Sequence, residues 1–216
     1  MDAGSDEAQT AAFVAAVQRN AGVMALATRV AALQLPGGCL AGGCLFQTVW
    51  NLAHGFEPSH GIADYDVFYF DATDLSADAE AEVGRRVHAV AADLGVRIDV
   101  RNQARVHLWY EAEYGAPSPP FRRVEDGIDH FLAPCCAYAV HVESDGLVVY
   151  APFGYEDLFA LVVRPNPRRA TTDGTALRLA YESKVARWLR LWPRLQVTPW
   201  ETSPVHSRAR DPAPHR

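Results

Sequence analysis

The segment Ile62-Ala63-Asp64-Tyr65-Asp66-Val67-Phe68-Tyr69-Phe70 constrains this chain more than any other. Its second half is wholly apolar and aromatic, the pattern of a buried strand. Its first half places two carboxylates two residues apart, and on a strand such positions project from the same face. Like charges held that close repel, and each is costly to desolvate unless a cation joins them. A divalent metal ion answers both problems, and hard carboxylate oxygens select Mg²⁺ or Mn²⁺ over zinc.

A third acid stands in a similar context. Asp99 lies between apolar neighbours in Arg97-Ile98-Asp99-Val100, a second predicted strand. Between the two strands, Ser76 suits an N-cap for a helix carrying Val83, Val87, Val90 and Leu94 on one face, and Gly95 suits its stop. Strands joined by such a crossover are normally parallel, although an antiparallel pairing is also open. If they are neighbours, Asp64, Asp66 and Asp99 converge. The plainer alternative leaves the first two in a loop and Asp99 capping a turn.

The rest of the chain supplies helices and a hairpin. Residues 8–35 show two apolar helical stripes, one with Phe13, Val14 and Val17, the other with Val23, Leu26, Val30 and Leu33. Gly37-Gly38 and Gly42-Gly43 bracket an expected loop, followed by a short helix over Cys44–Leu52. Val124, Ile128 and Phe131 suit another short helix, and Ala137–Glu143 with Leu147–Ala151 reads as a hairpin. Tyr155–Val163 and Leu177–Leu191 read as helices. Strands mixed with helices around a small sheet give an α+β domain spanning about residues 1–200, ending in a polar tail, 201–216, expected to be disordered.

Charge and cysteines limit the functions such a domain serves. Lys+Arg 20 against Asp+Glu 26 gives −6, which speaks against a protein that grips long nucleic acid. No apolar run is long enough to cross a bilayer, and the acidic start, Met1–Gln9, lacks the basic head of a signal peptide. A cytoplasmic location with no membrane partner is the expectation. Cys39 and Cys44 come near zinc-ligand spacing, but the adjacent Cys135 and Cys136 do not complete a set, so four buried thiols are expected.

Gly42-Gly43, a short helix, Asp64-x-Asp66 on a strand and Asp99 on a later strand together resemble nucleotidyltransferases of the DNA polymerase beta-like superfamily. More narrowly, Gly43–Asn51, Asp64–Asp71 and Val100–Trp109, with its Asn-Gln-Ala-Arg-x-His run, are similar to a bacterial nucleotidyltransferase group. The resemblance runs from about Val23 to Leu195 and implies a small mixed sheet with flanking helices. It implies that Gly42 and Gly43 approach a triphosphate through their backbone and that Asp64, Asp66 and Asp99 bind Mg²⁺ (or Mn²⁺) and catalyse transfer. The partners would be a nucleoside triphosphate and an unknown, small acceptor. Arg101, Arg105 and Lys184 are the candidate phosphate contacts. Two departures stand out: Cys44 follows the second glycine, and the interval to Asp64 is long. A nucleotide- or metabolite-binding module without transfer, and a scaffold whose acids merely pair with arginines, are the rival readings. Trp50, Trp188, Trp192 and His107 are expected in the packed interior.

Overall fold

A computed structural model describes residues 3–169 and 175–200. The expected tail, 201–216, lies outside the described residues. Two helices open the chain, α1 (Ala3–Gln18) and α2 (Ala21–Ala32). Asn20 separates them, its side chain accepting from the Gly22 and Val23 N–H groups and so capping α2. The Asn20 Nδ2 also donates to Thr48 Oγ1 at 2.8 Å, which ties this cap to the helix beneath the candidate site.

Next come β1 (Cys39–Ala41), α3 (Gly43–Ala53), β2 (Tyr65–Tyr69), α4 (Ala77–Ala91) and β3 (Ile98–Asn102). Ser76 caps α4 by accepting from Ala79 N–H at 3.1 Å, and Gly95 turns the chain in the left-handed region after it, as the sequence predicts. They are followed by α5 (Val106–Tyr114), α6 (Val124–Asp129), and a hairpin of β4 (Ala139–Glu143) and β5 (Gly146–Tyr150). A short α7 (Glu156–Phe159), β6 (Val162–Val163), α8 (Thr175–Leu191) and β7 (Gln196–Val197) complete the described chain.

The five-stranded sheet has the order β3-β2-β1-β4-β5. β2 and β3 are parallel with α4 as their crossover, and the remaining pairs are antiparallel. The α+β expectation thus stands, as a mixed sheet flanked by helices. Two local expectations are corrected, and one helix is added. The segment between the glycine pairs is no simple loop but contains β1, at the middle of the sheet; three residues are too few to show a period of two. Tyr155–Val163 is not one helix, because Leu161 adopts a positive φ of 58° and turns the chain into β6. The added helix is α5, whose aromatic stripe is interrupted by acidic residues.

The two sheet faces differ in what covers them. Leu40, Tyr65, Val67, Tyr69, Val100 and Val140 point into the main core, against α1, α2 and α4. On the other face Cys39, Ala41, Phe68 and Ala139 pack on Val124 and Ile128 of α6. Alternation along β2 and β3 therefore delivers Asp66 and Asp99 to this second, incompletely covered face. All four cysteines are buried and free.

One buried amide ties the site's scaffold together. Asn51 of α3 accepts from Trp192 Nε1 at 2.7 Å and donates to the Pro58 and His60 carbonyls at 2.9 and 2.8 Å. It thereby joins α3, the loop leading to Asp64 and the end of α8, where Trp50 and Trp192 pack ring to ring at 5.4 Å. Asn51→Ala leaves an indole N–H and two carbonyls short of a partner. A loss of about 3 kcal/mol is expected, read as a lower urea midpoint at unchanged slope.

Candidate active site

β2 and β3 run in parallel register with Asp66 opposite Asp99 and Phe68 opposite Arg101. Adjacent strands lie roughly 4.8 Å apart, so the two carboxylates are neighbours on one face. Asp64 stands two residues before Asp66, just ahead of the strand. The three acids line one cleft of about 590 Å³. Gly42 and Gly43, between β1 and α3, line it too. Gly42 has φ 59° and ψ −117°, a conformation open to glycine, and its N–H donates to the Tyr138 carbonyl at 2.9 Å. A Cβ there would lie 3.0 Å from Phe131 Cε2 and 3.4 Å from Asp66 Oδ2, so the backbone passes directly beneath the carboxylate.

The electrostatics of the trio are those of crowded charge. Burial, then the negative charges of Asp64 and Asp99, push the Asp66 carboxyl up to about 7. Lys184 and the Gly43 backbone N–H act in the opposite direction and are outweighed. Such a carboxylate is short of positive charge. Asp99 already has some: Arg101 Nε donates to its Oδ2 at 3.0 Å, two residues along the same face. The Arg101 guanidinium also lies 5.5 Å from the Trp109 ring centre. Among the described residues, no group of three or more His, Cys, Asp or Glu side chains is placed to hold a metal ion by itself.

Of the candidate phosphate contacts, Arg101 and Lys184 line the cleft. Arg105 does not. It is ion-paired with Glu80 of α4 and donates to the Leu75 carbonyl at 2.9 Å, while Glu80 accepts from Asn102 N–H at 2.8 Å. Its guanidinium clamps α4 to the end of β3, which withdraws it from the set of phosphate contacts. Cys44, the residue that follows the glycine pair, is fully buried and lies outside the cleft lining.

Several lining residues escaped sequence reasoning. Arg187 of α8 reaches the cleft and donates to the Gly61 carbonyl at 3.0 Å. Gln47 of α3, one turn beyond Gly43, is only 5% exposed, and its Oε1 has no hydrogen-bond partner among the described residues. Trp109, Tyr110 and Tyr114 come from α5. Their spacing, with Val106 before them, is a helical stripe and was the one available signal; its mixture of aromatic and acidic residues concealed it.

The model of a family described as Nucleotidyltransferase matches residues 28–197. Among solved structures, the chain is similar to a protein whose NMR structure reveals a CCA-adding enzyme head domain, at 20% identity over 87% of this chain and 94% of that one, with a TM-score of 0.70. That likeness concerns the fold. No curated protein matches the sequence.

Proposed function

Since this chain belongs to the nucleotidyltransferase family, we propose that its cleft transfers a nucleotidyl group from a nucleoside triphosphate to a small acceptor, with Mg²⁺ as cofactor. The observation that carries the reading is the placement of Asp66 and Asp99 side by side, with Asp64 adjoining, over the Gly42-Gly43 turn. Mg²⁺ is usually held by one or two carboxylates together with substrate phosphates. The Asp64 and Asp66 carboxylates on the cleft wall, with the Asp66 carboxyl pushed up to about 7 by burial and then by the neighbouring acids, fit that donor set.

Asp64 and Asp66 would hold the metal, which when bound neutralises charge on the phosphates. The N–H groups at the start of α3 would approach the triphosphate, since a helix N-terminus favours anions. Lys184, Arg187 and Arg101 add positive charge around it. Asp99 would accept the proton of the acceptor hydroxyl as its oxygen bonds to the α-phosphorus. The bond from that phosphorus to the bridging oxygen breaks, and pyrophosphate leaves. A cleft of about 590 Å³ and a net charge of −6 favour a small acceptor over a polymer.

A second reading, a nucleotide-binding module without transfer, draws on the Arg101–Asp99 pair, which occupies the acid that would take the proton. Two measurements separate the possibilities. Mn²⁺ with a nucleoside triphosphate is expected to raise the thermal midpoint of the chain by several degrees, and Asp64→Asn to cancel most of that rise. No rise with any of the four nucleotides, or the same rise in Asp64→Asn, sinks the metal–nucleotide site. Labelled nucleotide incubated with cell extract should then mark an acceptor; binding without label on any acceptor selects the module.

A further inference from the structure

The Asn-Gln-Ala-Arg run that leaves β3 contains four residues, and the fold accounts for three of them. Asn102 caps the turn by accepting from Ala104 N–H and exchanges two hydrogen bonds with the backbone of Asp71. Ala104 is packed in the interior, and Arg105 is paired with Glu80. Gln103 is different. It is 3% exposed, lines the cleft, and its amide makes no hydrogen bond among the described residues. Its amide opens onto the cleft, so its donors and acceptor are left for whatever enters there.

The chain makes a concession at the same place. Gly127 sits inside α6, where glycine weakens a helix. A Cβ on Gly127 would lie 2.1 Å from the Gln103 Oε1, closer than any real contact, so the missing side chain is the space the amide occupies. The glycine therefore makes room for a side chain whose amide no other group of the described chain engages.

We propose that Gln103 heads a nucleobase site. This rests on the nucleotidyl-transfer reading and names the part of the cleft that takes the base. Gln103, Val106, Tyr110 and Tyr114 follow one another at helical spacing and all line the cleft. The Tyr110 and Tyr114 rings lie 4.6 Å apart, and Trp109 stands beside them. An amide offers one donor and one acceptor; aromatic faces offer stacking. Together they recognise a flat, uncharged heterocycle with a hydrogen-bonding edge, which is the chemistry of a nucleobase. The position agrees. Gln103 is four residues past Asp99, on the order of 13 Å at strand rise, the scale of one nucleoside. The cations Lys184 and Arg187 belong to α8, on another wall of the cleft.

The test compares each nucleoside triphosphate with inorganic tripolyphosphate, both with Mn²⁺, by calorimetric titration of the full chain. The native chain is expected to bind its preferred nucleotide at least about tenfold more tightly than tripolyphosphate. Gln103→Met should erase roughly tenfold of that advantage while leaving tripolyphosphate binding alone. Met fills the volume without a polar group, so folding should persist; Tyr114→Leu, at the far end of the stripe, makes the same test independently. An unchanged advantage in both variants overturns the base site, as does a native chain that does not distinguish nucleotide from tripolyphosphate. Either outcome leaves the phosphate and metal reading standing. Failure of both ligands to bind the native chain instead overturns the nucleotidyl reading, and the base site with it.

Discussion

Asp66→Asn is expected to reduce nucleotidyl transfer by at least about 10²–10³-fold and, in the same protein, to raise the unfolding midpoint of the metal-free chain at pH 8. The two effects have one origin. Asp66 is half-buried beside Asp64 and Asp99, and burial followed by their charges pushes its carboxyl up to about 7 from an ordinary 3.8. In the unfolded chain it returns to the usual carboxylate range. Between roughly pH 4 and 7 the native state therefore binds more protons than the unfolded state, and stability falls as the pH rises through that window. Above it the destabilisation is fully present. At about 1.4 kcal/mol per unit, the whole shift bounds the effect near 4 kcal/mol; partial exposure and relaxation should leave 1–2 kcal/mol. Asn keeps the shape and loses the charge, so its advantage should be present at pH 8 and vanish near pH 4. Urea titrations of both proteins at the two pH values decide it. A variant less stable than the parent at pH 8 would show that Asp66 is held by compensating partners and not by want of a cation. With Mn²⁺ and nucleotide the order should reverse, since only the parent is stabilised by binding.

Gly42→Val carries the other large effect, and here stability and activity fall together. Gly42 combines φ 59° with ψ −117°, which a β-branched residue does not adopt without strain, and its Cβ would press on the Phe131 ring at 3.0 Å. Backbone strain and the steric clash together should cost about 3–5 kcal/mol. The added side chain would also meet Asp66 Oδ2, moving the carboxylate that the first prediction concerns. Gly95→Ala serves as the control. Gly95 also has positive φ, 65°, but a Cβ there meets nothing within 4 Å, so a loss of about 1 kcal/mol with transfer intact is expected. Equal losses at the two positions would mean that φ alone decides the cost, and that the close approach at Gly42 is immaterial.

These two positions also show how far the site was legible in the sequence. Asp66 and Asp99 declare themselves because each is a charge set in an apolar strand, and Asp64 by its spacing from Asp66. The crossover helix between them carries a recognisable cap at Ser76 and stop at Gly95. Period and punctuation are local properties, and they survive in a bare string of residues. Arg105 misled for the same reason: its place after Asp99 suggested the cleft, yet one turn of 3₁₀ helix swings it toward Glu80. Trp109, Tyr110 and Tyr114 were passed over because a helix that lines a cleft has no clean apolar stripe to betray it.

The sequence by itself determined that this chain builds a helix-flanked α+β sheet and that two strands with a crossover helix carry carboxylates toward one another. Those features follow from residue spacing, because side-chain direction along a strand or helix repeats with a fixed period. Tertiary structure alone decided that β2 and β3 pair in parallel with Asp66 opposite Asp99 and that β1 lies at the centre of the sheet. It also decided that the Gln103 amide rests against Gly127 on the wall of the cleft. Register, burial and pairing depend on residues far apart in the chain, and only the folded packing brings them to the same few ångströms.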